Sequence, residues 1–486
     1  MRIELVQEVE AKSALLVLID GSGTTPKYNA PTGENAQIDS AIEHTPFLLK
    51  NGEAFYTVGS KGQALLVCGI KKNGLSDTES IRRSLGKGLK LARKHELKEV
   101  TICLPHKEDP DEIAMIQLAA ETCNLSLYEY KKYLSDKGNP SYLDRISIVC
   151  SSNSKDLQEA LNRGIVLSDC TNITRDLVNE PSIDLYPETL AQKVQELGKS
   201  FGFDVQVFDE KQCLEMNMHA FLAVGKASTR APRLIVMRWI GGSNMEPIGL
   251  VGKGVTYDTG GLSLKPTASM LRMKSDMTGS AVVIGTMCAL ARLKSKKNVV
   301  GVVAACENSV AGNAFMPGDI LQSKNGKTIE IRNTDAEGRL TLADAICHAI
   351  REEHANKIID IATLTGAVKV ALGDQVAGAV TTDDNLYKSL SEASTKADEQ
   401  FWQLPINQDY RDLNNSEIAD ISNLGRDGLA GTISAACFVE AFTEGLPWLH
   451  LDIAGVAYNH NNHDYIPKGG SGRVVRSLYH MVEALD

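Results

Sequence analysis

At 486 residues, with 43% hydrophobic and 23% charged side chains, the chain exceeds one ordinary hydrophobic core and is too apolar for disorder, so two globular domains are expected. A formal net charge of −10 argues against nucleic acid as a bulk partner, because that binding rests on clustered Lys and Arg. The N-terminus Met1-Arg2-Ile3-Glu4-Leu5 lacks the apolar core of a signal peptide and no apolar run is long enough to span a bilayer, so a soluble, cytoplasmic protein without a membrane partner is expected.

Apolar runs at 14–19 and 63–68 have strand length and end near glycines, 81–95 has helical spacing, and 100–104 and 146–150 read as buried strands. An amphipathic helix over about 154–178 ends before Pro181, since proline disfavours helix in the residue before it. The domain boundary is placed on this helix, giving a smaller α/β domain over 1–160 and a larger one over 161–486. Beyond it, helices near 188–201, 280–293, 340–351 and 432–442 alternate with strands at 234–239, 248–252, 299–306, 357–364 and 448–454. A strand at 328–332 follows the hairpin signal Asn325-Gly326. Such alternation implies an α/β/α domain with a mixed, mostly parallel sheet covered on both faces, with ligands at the carboxyl ends of its strands. The ten cysteines are spread singly without a C-x-x-C pair and read as reduced core residues.

Three segments concentrate charge beside predicted strands and helices. They are Lys253 to Lys265, containing Asp258-Thr259-Gly260-Gly261; Lys274-Ser275-Asp276; and Asn333-Thr334-Asp335-Ala336-Glu337-Gly338-Arg339-Leu340. Converging on one sheet edge, Asp258, Asp276, Asp335 and Glu337 would repel one another, and burial would raise that cost. Divalent cations resolve both problems, and four carboxylates suggest two ions sharing bridging groups. Taken singly, Asp276 and Asp335 read more simply as helix caps, and Arg339 as a salt-bridge partner of the crowded acids. No G-x-G-x-x-G, P-loop, H-E-x-x-H or G-x-S-x-G motif offers other chemistry.

At these same residues the chain resembles the leucine aminopeptidase, or cytosol aminopeptidase, family. Asn333 to Leu340 matches that family's signature octapeptide in full, and Lys253, Asp258, Lys265 and Asp276 match in identity and spacing. The likeness extends over Thr363-Leu364-Thr365-Gly366 and His450 to Gly455, whereas 1–150 is similar only in length and α/β pattern. The resemblance implies a metallo-aminopeptidase with two divalent ions, Mn²⁺ or Zn²⁺. One would be held by Lys253, Asp258, Asp276 and Glu337, the other by Asp258, Asp335 and Glu337. It implies that a water activated between the ions attacks the first peptide bond, that Lys265 stabilises the oxyanion, and that Arg339 holds a bicarbonate. It further implies that Met273, Thr363, Gly366 and Ala454 line the first side-chain pocket, whose small and apolar character favours leucine and similar residues. Short peptides as substrates and a homohexameric assembly follow from the same likeness. Two rival readings stay open here: a two-metal phosphoesterase, and an inactive aminopeptidase-like binding scaffold.

Overall fold

The computed structural model describes residues 1–485 except 11–12, 22–25, 32, 46–51, 73, 106–110, 137–142 and 243–245. Two units separate in it. One comprises Met1–Asn172 with Asn461–Lys468, the other Ile173–His460 with Gly469–Asp486, and the division falls inside the helix Lys155–Asn179.

The first unit is built on one sheet: β1 (Arg2–Val6), β2 (Ala14–Asp20), β3 (Lys27–Tyr28), β4 (Ala54–Val58), β5 (Ala64–Ile70), β6 (Glu99–Cys103) and β7 (Arg145–Val149). The order is β1-β7-β6-β2-β5-β4, with β3 paired to β2; only β4 and β3 run antiparallel to their neighbours. β2 is buried from Ala14 to Ile19, as the apolar run suggested. The helix Asp77–Lys94 starts earlier than its spacing indicated, because Ser76 caps it by accepting from Glu79 N at 3.0 Å. The helix Glu112–Leu127 escaped the sequence reading, being apolar around most of its circumference and therefore without a clear face.

The second unit contains β8 (Asp204–Phe208), β9 (Arg233–Ile240), β10 (Ile248–Asp258), β11 (Asn298–Asn308), β12 (Ile320–Gln322), β13 (Thr328–Glu330), β14 (Lys357–Ala362), β15 (Val376–Thr381), β16 (Gln400–Gln403), β17 (Ile421–Ser422) and β18 (Trp448–Asp452). Eight form a mixed sheet of order β16-β15-β18-β14-β10-β11-β9-β8. Its centre, β18-β14-β10-β11, is wholly parallel, so the carboxyl ends of four neighbouring strands share one edge. β12, β13 and β17 make a small separate sheet, with Asn325-Gly326 turning the β12–β13 hairpin at a Gly326 φ of 93°.

Alternation along β10 places helices on both faces. A Cβ added to Gly252 would meet Ser280 Cα at 2.6 Å, in the helix Thr278–Arg292. The next residue, Lys253, points to the other face and meets Gly338 at the start of the helix Gly338–Arg351. Val251 and Val255 share the Lys253 face and belong to a core with Val302, Ala304, Leu340, Phe221 and Trp448. Fully burying an aliphatic side chain of this kind contributes roughly 1.5–3 kcal/mol, so this core holds the helix carrying Arg339 firmly on the sheet. All ten cysteines are buried and unbridged.

Candidate active site

The centre starts from a lysine in the wrong place for a lysine. β10 was expected to end near Gly252, yet its pairing with β11 continues through Lys253↔Ala304 to Asp258↔Asn308. Lys253 is therefore held in the middle of a buried strand, 3% exposed, where an unpaired ammonium would be prohibitive. Its Nζ lies 2.7 Å from Asp276 Oδ2 and 2.9 Å from Glu337 Oε1, and it donates to Asp276 Oδ1 (2.8 Å) and Thr363 O (3.1 Å). Burial would release its proton, but Asp276, Glu337 and Asp258 outweigh that and hold its pKa above the usual lysine value.

Asp258 ends β10. Its Oδ1 accepts from Gly260 N and from Asn308 Nδ2, both at 2.8 Å. Gly260 and Gly261 have φ of 86° and 63°, which turns the chain back so that Lys265 N donates to Thr259 O. Lys265 Nζ then lies 2.8 Å from Asp258 Oδ2 and in contact with Asp335 Oδ1. Asp276 follows the short helix Met273–Ser275. The N-cap of the next helix is Met277 and has no side-chain cap, so Asp276 is no capping residue; its side chain is engaged by Lys253 and by Thr363 Oγ1 at 2.9 Å. Asp335 is likewise no cap: the helix Gly338–Arg351 begins from Glu337 without a side-chain cap.

The loop 333–337 is held by residues that the sequence reading missed. Asn423 Oδ1 accepts from Arg332 N (2.8 Å), while its Nδ2 donates to Asn333 O (2.7 Å). Thr334 Oγ1 donates to Gly260 O (2.7 Å) and accepts from Ser263 N (2.8 Å), stitching the Asp335 loop to the Asp258 loop. Asn308 Nδ2 bridges Asp258 Oδ1 and Thr334 O. The only local signal for Asn308 was a polar residue closing an apolar strand.

One oxygen each from Asp258, Asp335 and Glu337 lie within 4.8 Å of one another. Asp276, paired with Lys253, stands beside that trio. The arrangement is crowded with negative charge. Burial, then the neighbouring Asp258 charge, raises the Glu337 carboxyl to about 8, and burial also raises Asp276 and Asp335. Glu337 Oε2 is buried with no hydrogen-bond partner. Four carboxylates facing two lysines, with an orphaned acceptor among them, is a donor set that fits divalent cations.

Arg339 is buried and makes no ion pair among the described residues, contrary to the simpler reading of it. Its Nε and Nη1 have no partner, and burial lowers its pKa to about 10 against the pull of Glu337 and Asp452. Behind it, Asp452 accepts from Thr365 Oγ1 (2.6 Å), and His450 Nδ1 lies 2.6 Å from Asp360 Oδ1. A cavity of about 710 Å³ opens onto the centre. Its walls include Lys253, Asp258, Lys265, Asp276, Asp335 and Arg339, together with Met273, Thr363, Gly366 and Ala454. Of the expected residues, Glu337 alone does not reach that wall. The volume suits a small ligand.

Family models match the chain twice. The catalytic domain of the cytosol aminopeptidase family covers residues 172–479, and the N-terminal domain of that family covers 35–137. The probable cytosol aminopeptidase of Clostridium perfringens is 43% identical over 469 residues, 94% of each chain. Among solved structures, a mutant of tomato leucine aminopeptidase superposes with a TM-score of 0.89 at 29% identity, covering 99% of this chain and 96% of that one. The bottromycin maturation enzyme BotP in complex with Mn gives 0.86 at 30% identity, covering 98% and 99%.

Proposed function

This chain belongs to the cytosol aminopeptidase family and is an aminopeptidase, and from that premise we propose that it removes single N-terminal residues, leucine and other apolar ones by preference, from short peptides with two divalent cations bound. One observation carries the metal reading: Asp258, Asp335 and Glu337 bring three carboxylate oxygens together beside the Lys253–Asp276 pair, and all of these but Glu337 line one cavity. The Mn bound by the similar BotP structure supports manganese as the first ion to try, with zinc as the second.

Lys253, Asp258, Asp276 and Glu337 would hold one cation, and Asp258, Asp335 and Glu337 the other. When bound, such cations supply Lewis acidity and lower the pKa of water. The protein's own groups then do the positioning. Asn308 and Gly260 N fix one oxygen of Asp258, and Thr363 and Lys253 fix Asp276, so the donors are set before a ligand arrives. Lys265 stays protonated because Asp258 and Glu337 outweigh its burial, and its Nζ on the cavity wall is the cation for a developing oxyanion. The guanidinium of Arg339, whose buried Nε and Nη1 have no partner, has donors to spare for a planar anion such as bicarbonate. Met273, Thr363, Gly366 and Ala454 form the wall for the first side chain.

The test is hydrolysis of leucyl 4-nitroanilide before and after chelation, with Mn²⁺ or Zn²⁺ restored. Loss and metal-specific recovery, absent in Asp335→Ala and Glu337→Ala, is the expected result; turnover that survives exhaustive chelation would overturn the metal reading. A homohexamer in the cytoplasm completes the proposal. Light scattering of the purified protein tests the assembly, and a monomeric mass would refute it. Among the described residues no helix is long and apolar enough to cross a membrane.

A further inference from the structure

The cavity wall carries a second concentration of charge, of opposite sign and outside the carboxylate centre. Arg272, Lys369 and His460 line it together with Met273 and Gly366. Arg272 directly precedes Met273, and Lys369 lies three residues beyond Gly366 on the helix Gly366–Leu372, one turn along the same face. Both cations are thus tied by the backbone to the wall assigned above to the substrate's first side chain.

Arg272 Nη1 lies 3.0 Å from His460 Nε2, and Lys369 Nζ lies 3.4 Å from the same nitrogen. A guanidinium and an ammonium can only donate, so in this geometry Nε2 is the acceptor that both face. One ring nitrogen therefore gathers two positive charges onto one point of the wall. Among the described residues no carboxylate pairs with Arg272 or Lys369, in a chain whose net charge is −10. Both side chains are exposed, where mutual repulsion costs little, and an anion settling between them would relieve it.

We propose that this cationic rim reads the side chain of the substrate's N-terminal residue, and that the enzyme accepts glutamate and aspartate there alongside apolar residues. The inference rests on the aminopeptidase reading of the centre and names a substrate class for it. An acidic residue would lay its methylene stem along Met273, Gly366 and Ala454, with its carboxylate reaching Arg272 and Lys369 at the rim. Apolar residues would use the same wall without the rim.

The experiment compares α-linked glutamyl, glutaminyl and leucyl 4-nitroanilides on the metal-loaded enzyme. Anilides have no C-terminal carboxylate, so any response to charge belongs to the first side chain. Glutaminyl is isosteric with glutamyl, so their ratio isolates the charge. The expected kcat/KM for glutamyl exceeds that for glutaminyl by about two- to fivefold, the scale of an exposed ion pair. That ratio should fall to one or below in Arg272→Gln and Lys369→Gln, and should shrink as salt is added. Lys369→Glu should turn preference away from glutamyl and towards lysyl anilide, a gain that misfolding cannot mimic. Leucyl turnover with a glutamyl-to-glutaminyl ratio of one or less, unmoved by the substitutions, would overturn the proposal and leave the aminopeptidase standing. Absence of leucyl turnover under every metal is a different failure, and would remove the reading on which the proposal rests.

Discussion

Asp258 can serve a cation only if its oxygens are held in a set direction, and Asn308 is the side chain that holds one of them. Its single amide nitrogen reaches Asp258 Oδ1 at 2.8 Å and Thr334 O at 3.0 Å, so it orients both the carboxylate and the loop that carries Asp335 and Glu337. Asn308→Ala is expected to weaken Mn²⁺ binding by about 10–100-fold, the usual effect of losing a partner behind a ligand. Calorimetric titration measures this, and an affinity within about twofold of the parent would deny Asn308 that role. Gly338 acts by what it lacks. A Cβ there would collide with Lys253 Cε and Cδ, and Lys253 is pinned by Asp276 and Glu337 and cannot step aside freely. Gly338→Ala should cost roughly 1–3 kcal/mol in urea unfolding and lower leucyl-anilide turnover in the same preparation. Unchanged stability would mean that the lysine relaxes. The acids were legible in the sequence as a cluster, because they sit in three short segments, whereas the part given to Lys253 came only from the family resemblance. Asn308 and Asn423 were not legible, nor was the bonding role of Thr334. Their bonds join residues about 26 to 90 positions apart, and local pattern carries no trace of such partners.

Elements are placed by the same buried polar logic. Asp344, within the helix Gly338–Arg351, accepts from Phe221 N at 2.9 Å and from Lys324 N at 2.7 Å. It thus ties that helix to the helix His219–Gly225 and to the β12–β13 hairpin. Burial drives its carboxyl up to about 7, against the backbone donors of Phe221, Lys324 and Ala220 that favour the charged form. Because the folded pKa lies above the ordinary 3.8, the folded state holds an extra proton between those values. The stabilising contribution is therefore full below the unfolded pKa and is lost as pH rises through about 7. Relative to Asp344→Asn, which cannot titrate, the parent should lose on the order of a few kcal/mol between acidic and mildly alkaline pH. Urea unfolding of both proteins across that range tests it, and a pH-independent difference would show that Asp344 titrates alike folded and unfolded. At this scale the sequence located strands by apolar runs, and so stopped β10 near Gly252 and missed its polar end. Lys253 to Asp258 stays in the sheet because β11 continues to pair with it, a contribution of the neighbour that no single-strand pattern contains. The edge strands β1, β4, β8 and β16 were passed over for the converse reason: they are short, only half-buried and lack a long apolar signature.

For the whole molecule the centre is a stability liability that a ligand converts into an asset. Three chain segments deliver Asp258, Asp276, Asp335 and Glu337 to one point, and burial raises the pKa of the last three, so the folded chain holds these charges at a cost. A cation that binds only the folded state adds about 2.7 kcal/mol when present at a hundredfold over its dissociation constant. Chelation should therefore lower Tm by a few degrees, and Mn²⁺ should restore it without any substrate present. Asp335→Asn keeps the side chain's shape and removes one of the four mutually repelling charges. It should be more stable than the parent when metal-free, gain less from Mn²⁺, and lose most leucyl-anilide turnover. That crossing of two stability orders separates a ligand from a structural residue, because a merely structural Asp335, paired with Lys265, would leave the variant weaker in both states. Differential scanning fluorimetry with and without Mn²⁺ gives all four values, and parallel curves for the two proteins would remove Asp335 from the metal centre.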